Sequence, residues 1–342
     1  MVRATISDVA KRAGLSRSSV SNYLTGNHRN LGTDARSRIA AAIKDLGYEP
    51  SVAARALRSG TVPTIGLLVP SIVNPFYAEM VQAIEAAAHR RSMRVMVVST
   101  YRDAMMERDF LDALAGYGIA GAVTVSPRSD STAKLGGARH LVAIDAPPGT
   151  ASVTINLDNA AALGLAVDHL IKLGHHRIAY AGDTGFTYAR SEREAGFIQA
   201  CRQKSLHGTV LPPPPLAMDE VRPELELFVR GKLYAQQFTL ESLGVTAIIA
   251  LNDLLATGIS LGLQDEGIDV PRDVSVVGID DVLMAQMTAP KLTTIGQPIR
   301  EMAETAVACL LDCMRGDAVE DAIIFQPQIV VRQSSGSRSG LD

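Results

Sequence analysis

Two hydrophobic rhythms divide the chain. Over the first fifty residues, apolar positions recur every three or four. Ile6, Val9, Ala10 and Ala13 share one face of a short helix. Thr5, with Asp8 three residues on, forms a capping pattern ahead of it. Gly14 ends it, as a residue free to take positive φ does. Ser16 caps a second helix, RSSVSNYL, with Val20, Tyr23 and Leu24 inward and Gly26 at its end. Thr33 caps a third, DARSRIAAAIKDLG, which turns Ile39, Ala42, Ile43 and Leu46 inward. Two short helices joined by a three- or four-residue turn containing Gly make a helix-turn-helix, and the small Ala10 leaves room for their close crossing. Pro50 stops the third helix. Ser51 then caps a further one and a half turns, with Ala53, Ala54 and Leu57 on one face. That piece is too short to hold in water alone and needs a partner.

From residue 63 the rhythm changes. Unbroken apolar runs alternate with amphipathic stretches: TIGLLVP, NPFYAEMVQAIEAAAHRR, RVMVVST, ERDFLDALAGYG, GAVTVSP, HLVAID and SVTINLD. A second series follows with AVDHLIKLG, RIAYAG, SEREAGFIQACRQKS, TAIIALN, LLATGISLGLQDEG and VSVVGID. LTTIGQP reads as a short edge strand, EMAETAVACLLDCMRG as a last helix, and AIIFQPQIVVR as closing strands. Buried runs separated by helices mean parallel sheets covered on both faces. The expected fold is therefore α/β, with an N-terminal all-α helix-turn-helix domain and a two-lobed core of parallel sheets. Ligands of open α/β sheets sit beyond the carboxyl ends of the strands, which directs attention to Asn74, Phe76 and Tyr77, to Asp183, Arg190 and Arg193, to Asn252 and Asp253, and to Asp280 and Asp281. An Arg facing an Asp beside two aromatics suits a polyhydroxylated ring. The plainer alternatives are a surface helix charge for Arg193 and helix N-caps for Asp253 and Asp281. The cap reading is preferred for those two aspartates, and the strand-end reading for Arg193 and Asp280.

Charge sharpens the division. The net −3 of the 342 residues hides ten Lys/Arg against four acids in residues 1–60, or +6, and 23 bases against 32 acids in the rest, or −9. A basic head on an acidic body points to a polyanion partner for the head. The outward face of the second helix, Arg17, Ser18, Ser19 and Asn22, carries no acid, and its side chains can bond base edges or phosphates. The competing reading is a plain three-helix bundle followed by a solvated linker. Three cysteines, Cys201, Cys309 and Cys313, form no disulfide framework and fit a reducing compartment. Cys309 and Cys313 are read as core thiols rather than zinc ligands, since no further ligand pair accompanies them. With no apolar leader and no 18-residue apolar run, a cytoplasmic protein without membrane contact is expected. The phosphate-loop, dinucleotide, zincin and nucleophile-elbow motifs are missing, so no enzyme and no cofactor or metal is expected. His175 and His176 read as structural, placed to meet the negative end of a helix dipole.

These segments together resemble the LacI/GalR family of bacterial transcription regulators over almost the whole chain. TISDVAKRAGLSRSSVSNYLTG, GYEPSVAARALRSG, TIGLLVPSIVNPFYAEMVQAIE, HLIKLGHHRIAYAG, Arg193 to Phe197, TAIIALNDLLATG and DVSVVGIDDVLMAQMTAPKLTTIGQP carry the likeness. The resemblance implies a repressor that binds a palindromic double-stranded operator as a dimer or tetramer, under allosteric control by a small polar effector such as a sugar, and the ending SSGSRSGLD, without a heptad-repeat helix, favours the homodimer. It implies a periplasmic-binding-protein-like core and a hinge helix that enters the minor groove. The implied domains are 1–49 for DNA binding, 50–62 for the hinge, 63–162 with 293–325 for one lobe, and 163–292 with 326–335 for the other. Thr5, Ser16, Arg17, Ser18, Ser19, Ser21, Asn22, Ala54 and Leu57 fall to DNA. Asn74, Phe76, Tyr77, Arg193, Phe228, Asn252 and Asp280 fall to the effector. Asn22 stands where many members have Arg, Ser51 stands where Asn is usual, and Leu211 to Lys232 departs from the family pattern. The alternatives are a solute-binding sensor whose head contacts protein, and after it an enzyme using the Arg/Asp cleft. If Leu57 is a minor-groove wedge, Leu57→Ala weakens specific DNA binding far more than nonspecific binding, because phosphate contacts survive its loss. Filter binding on selected and random duplexes measures both, and equal losses on the two exclude the wedge.

Overall fold

The computed structural model describes residues 5–24, 31–46, 63–114, 116–119, 121–128, 140–183, 185, 187–216, 225–237 and 244–338. Gly26, Pro50, Ser51, Ala54 and Leu57 lie outside these residues. The chain separates into a head, residues 1–64 with 92–94, and a body formed by the rest.

In the head, α1 (Ile6–Ala13), α2 (Arg17–Leu24) and α3 (Thr33–Leu46) enclose Val9, Ala10, Ala13, Val20, Leu31, Ile39 and Ala42. The start of α1 is a reciprocal capping box: Asp8 N–H meets the Thr5 hydroxyl, and Asp8 Oδ2 accepts the Thr5 N–H at 2.8 Å. Gly14 takes the left-handed conformation, φ 64°, that ends α1. The Ser19 N–H donates to Ser16 Oγ at 3.1 Å, which caps α2 as its sequence implies. The third helix begins one residue earlier than expected: Thr33 is already helical, and Gly32 O accepts the Arg36 N–H.

The body holds two six-stranded sheets. Its elements are β1 (Thr64–Val69), α4 (Pro75–His89), β2 (Arg94–Ser99), α5 (Ala104–Ala113), β3 (Gly121–Val125), β4 (His140–Ile144) and β5 (Val153–Leu157). Then come α6 (Asn159–Lys172), β6 (Arg177–Ala181), α7 (Tyr188–Gln203), β7 (His207–Leu211), α8 (Glu226–Gln237), β8 (Ala247–Ala250), α9 (Asp253–Asp265) and β9 (Ser275–Asp280). A 3₁₀ turn (Leu283–Gln286), β10 (Thr293–Gly296), α10 (Ile299–Arg315), β11 (Ala322–Phe325) and β12 (Gln328–Val330) complete it. The first sheet runs β11-β5-β4-β3-β1-β2, the second β12-β10-β9-β8-β6-β7. Strands β3, β5 and β9 are buried along their whole length, as expected of strands covered on both faces.

Four expectations change. Strand β10 is internal rather than an edge, because β12 pairs outside it, and that pairing is antiparallel in an otherwise parallel set. Residues 293–296 therefore belong to the second lobe, and α6, from Asn159, packs there against α7. The lobe crossings accordingly fall near residues 158, 297 and 327. Strand β7 and helix α8 occupy stretches for which no element was read. Gly258 on α9 lies so close to α8 that a Cβ there would meet the Phe228 carbonyl, so the two helices need glycine at their crossing.

His175 is structural, but not through the helix dipole. It is 3% exposed, and its Nε2 lies 3.0 Å from the Gly336 carbonyl, which can only accept. The Nε2 therefore carries the proton, while Nδ1 takes the Thr246 hydroxyl at 2.9 Å. Burial lowers its pKa, so the ring is neutral and has no charge to offer a dipole. The unfolded chain accepts a proton as pH falls below about 6.5, where the folded ring still resists it, so stability drops from there toward the depressed native value. His175→Gln should therefore show a smaller fall in Tm between pH 7 and pH 5 than the parent, measured by scanning calorimetry. Equal falls would mean that the ring titrates normally in the fold.

Candidate functional site

The carboxyl ends of both sheets face one cleft. From the first lobe, α4 begins it. The Asn74 Oδ1 accepts the Phe76 N–H at 3.0 Å, which caps the helix and aims its first turn at the cleft. Phe76 and Tyr77 line the wall edge to face, with ring centroids 5.3 Å apart. The loop after β2 brings Arg102, whose Nη2 donates to Tyr77 Oη at 3.0 Å, while its buried Nη1 has no partner among the described residues. After β3 and β4 come Ser126 and Asp145, joined by a 2.6 Å bond from the serine hydroxyl to the carboxylate. Burial raises the Asp145 pKa, against the pull of Ser126, Arg193 and Arg102.

From the second lobe, α7 supplies Arg190 and Arg193, each 7% exposed. The Arg190 Nη1 donates to Asp183 Oδ1 at 2.5 Å. Arg193 spends each nitrogen on a different element: Nε on Asn159 Oδ1 (3.1 Å), Nη1 on the Leu251 carbonyl (2.7 Å) and Nη2 on Asp280 Oδ1 (3.4 Å). Asp280 also accepts the Gln297 Nε2 at 2.7 Å. Burial raises the Asp280 pKa, and Arg193 and Gln297 hold it back.

Among the described residues, six of the eight non-glycine positions with positive φ are Tyr101, Arg102, Ser126, Asp145, Asp280 and Asp281. All lie at or just beyond the carboxyl ends of strands β2, β3, β4 or β9. Backbone strain of this kind persists where the surrounding structure enforces it, and it concentrates at functional sites.

The structure brings Asn74, Phe76, Tyr77, Arg193, Asn252 and Asp280 together at this cleft. Phe228 does not line it: its carbonyl faces Gly258, and its neighbour Leu227 reaches the cleft instead. Asn252 is the N-cap of α9, through Leu255 N–H at 3.0 Å. The cap reading of Asp253 and Asp281 therefore fails. Asp253 follows the cap, is fully buried, and accepts the Thr294 hydroxyl and the Val282 N–H, tying β9 and its turn to β10. Burial and the charge of Asp280 both raise its pKa. Asp281 pairs with Arg332 on the closing strand segment. Sequence alone did not single out Arg102, Ser126, Asp145, Asn159 and Gln297, although Ser126, Asp145 and Gln297 directly follow strands and Asn159 and Arg102 come two and three residues after one, where the same rule applies.

In the head, Arg17 and Ser18 are exposed on α2, and Ser19, Ser21 and Asn22 are half-buried. The Ser16 hydroxyl lies 2.7 Å from that of Ser18 and 2.9 Å from that of Ser19. Thr5 is committed to its capping box. Burial pushes the Cys201 thiol up to about 11, which makes it inert at neutral pH. Among the described residues no helix is long and apolar enough to cross a membrane.

Comparison with known proteins agrees with this geometry. Residues 5–51 match the family described as bacterial regulatory proteins, lacI family, and residues 167–335 match a periplasmic binding protein-like domain. The transcriptional regulator MalR of Streptomyces coelicolor is 32% identical over 98% of this chain and 97% of its own. The lac repressor dimer bound to operator and an anti-inducer superposes with a TM-score of 0.70 at 23% identity, over 98% of this chain and all of that one. A regulator from Enterococcus faecium with bound ribose gives 0.68 at 25% identity, over 81% of this chain and all of that one.

Removing one partner of a buried ion pair strands the other. Arg193→Ala should cost about 3 kcal/mol of unfolding free energy, while adding Asp280→Asn to it should recover part of that loss. Urea denaturation checks both variants, and a parent-like midpoint for Arg193→Ala would show that the pair is not buried as described.

Proposed function

Because the chain belongs to the LacI family of bacterial regulatory proteins, we propose that it is a cytoplasmic repressor that binds a palindromic operator as a homodimer and is controlled by a neutral, polyhydroxylated effector held in the cleft. DNA falls to the head. Arg17 and Ser18 stand exposed on an acid-free helix face, next to Ser19, Ser21 and Asn22. A guanidinium at the start of that helix suits guanine O6 and N7, and Asn22 suits adenine. Ala54 and Leu57 complete the reading through the hinge.

One observation carries the effector reading. Each lobe brings an Arg and an Asp to the same aromatic-flanked cleft, Arg102 with Asp145 and Arg193 with Asp280. The third arginine, Arg190, is neutralised by Asp183. Formal charges therefore cancel, which favours a neutral ligand over a phosphate or a carboxylate. Side chains that both donate and accept stand on the wall (Asn74, Ser126, Asn159, Asn252 and Gln297), which suits hydroxyl groups, themselves donors and acceptors. Phe76 and Tyr77 offer one apolar wall rather than the two parallel faces that would sandwich a nucleobase. The ribose held by the Enterococcus faecium regulator fits this chemistry.

A thermal-shift panel of neutral mono- and disaccharides, sugar phosphates and purine bases tests the effector class. A saccharide at 100 times its Kd should add about 2.7 kcal/mol of stability. Stabilisation by sugar phosphates or purines alone would overturn the neutral-sugar reading. Selection from random duplexes tests the head: a palindromic site should emerge, and Arg17→Ala should weaken it by about 1–3 kcal/mol while relaxing one base position in each half. If selection returns no preferred sequence, the repressor reading fails.

A further inference from the structure

A hydrogen bond joins the two lobes beside the cleft. The Leu283 N–H donates to Glu79 Oε1 at 2.7 Å. Glu79 belongs to α4 of the first lobe, and Leu283 opens the 3₁₀ turn of the second. That turn has no side-chain cap from its own lobe: Val282 precedes it and makes no cap bond. An orphan N–H at a helical start needs an acceptor, and a carboxylate is a strong one. Glu79 supplies it from the opposite lobe. We propose that the Glu79–Leu283 bond is a latch between the lobes, and that it couples occupancy of the cleft to the angle between them.

Both halves of the latch are rigid extensions of cleft residues. On α4, Tyr77 lines the cleft two residues before Glu79, and Met80, next in the chain, is fully buried. On the other side, Asp280 lines the cleft three residues before Leu283. The connecting span has little slack. Asp280 and Asp281 hold positive φ of 130° and 58°, and the Val282 N–H is bound to Asp253 Oδ2 at 3.0 Å. Val282 and Ala285 are 2% and 0% exposed, so the turn moves with the second lobe. A ligand that displaces Asp280 therefore displaces the donor of the latch, and one that presses on Tyr77 displaces its acceptor. The latch itself stands without any ligand, so its test is independent of the effector reading.

Amide exchange and small-angle scattering on the full chain, with nothing added, read the latch directly. In Glu79→Ala the Leu283 amide should exchange about tenfold faster, while the Val282 amide, held by Asp253, keeps its parent rate. The radius of gyration should rise as the lobes part. Leu283→Pro deletes the donor from the other side. Proline fits there because Leu283 is the first residue of the turn and Val282 is already extended, at φ −70° and ψ 156°. It should reproduce the scattering of Glu79→Ala, and the double variant should go no further than either single one. Glu79→Gln keeps the acceptor oxygen and should scatter like the parent. Unchanged Leu283 exchange in Glu79→Ala, an unchanged radius in both single variants, or effects that add in the double variant would overturn the latch. If one single variant fails to fold, the other carries the scattering test alone.

Discussion

The buried pair of Arg193 and Asp280 sets the form of the cleft. A guanidinium and a carboxylate removed from water lose several kcal/mol of hydration each, and mutual attraction offsets this only with good geometry and further hydrogen bonds. The geometry here is built from distant parts of the chain. Arg193 reaches the start of α6 through Asn159, the end of β8 through Leu251 and the end of β9 through Asp280. Asp280 then reaches past β10 to Gln297. Satisfying one buried charge pair therefore aligns three strand ends and a helix start. Behind it lies Asp253, a second buried carboxyl that binds the Val282 amide and the Thr294 hydroxyl. Both acids have raised pKa values because burial penalises their charge and because each has an acidic neighbour. The carboxyl end of this sheet is therefore stiff, since any slip leaves a buried carboxyl group without its partners.

The first lobe is organised differently. Its Asp145 takes a hydroxyl from Ser126 and, among the described residues, has no arginine bonded to it, while Arg102 bonds a tyrosine and keeps a buried nitrogen without a partner among them. Its polar capacity is left open where that of the second lobe is mostly spent. A ligand would thus find a preformed wall on one side and unsatisfied groups on the other. Binding of that kind draws its energy mainly from the open side. Lobes joined by three crossings and braced internally move as bodies, so energy gained at the open side is available to change their relation.

Much of this was legible in the sequence, and the failures have physical causes. Strands buried on both faces announce themselves as apolar runs, so β1, β3 and β9 were plain. Strand β7, HGTVL, is half exposed at a sheet edge, and its composition gives no such signal. Helix α8 follows a proline-rich stretch and reveals itself only through the glycines of its partner α9. Arg193 and Asp280 were found because they follow strands. Arg102, Ser126, Asp145 and Gln297 follow strands too, but a lone polar residue after a strand looks like any turn until the fold marks it, by positive φ at Arg102, Ser126 and Asp145 and by the bond to Asp280 at Gln297. Asp253 misled because an Asp ahead of a helix usually caps it. Here Asn252 had taken the cap, which freed the Asp253 side chain to turn inward. His175 misled in the opposite sense: a helix end suggested a charge, whereas its partners require a neutral ring.

An effector can shift an equilibrium only by the difference in its affinity for two conformations, and the same coupling must act in reverse on the effector. The charge division of the chain bears on which side of that linkage is strong. The +6 head holds the excess of base, so its affinity for a polyanion is electrostatic and falls steeply with salt. The −9 remainder has no such attraction, and a cleft whose charges cancel is largely indifferent to salt. The two ends of the linkage thus respond to different variables. Ionic strength tunes how tightly the head holds DNA without altering the ligand step. The coupling between them must therefore reside in conformation, in the strained strand ends and lobe contacts around the cleft, rather than in long-range electrostatics.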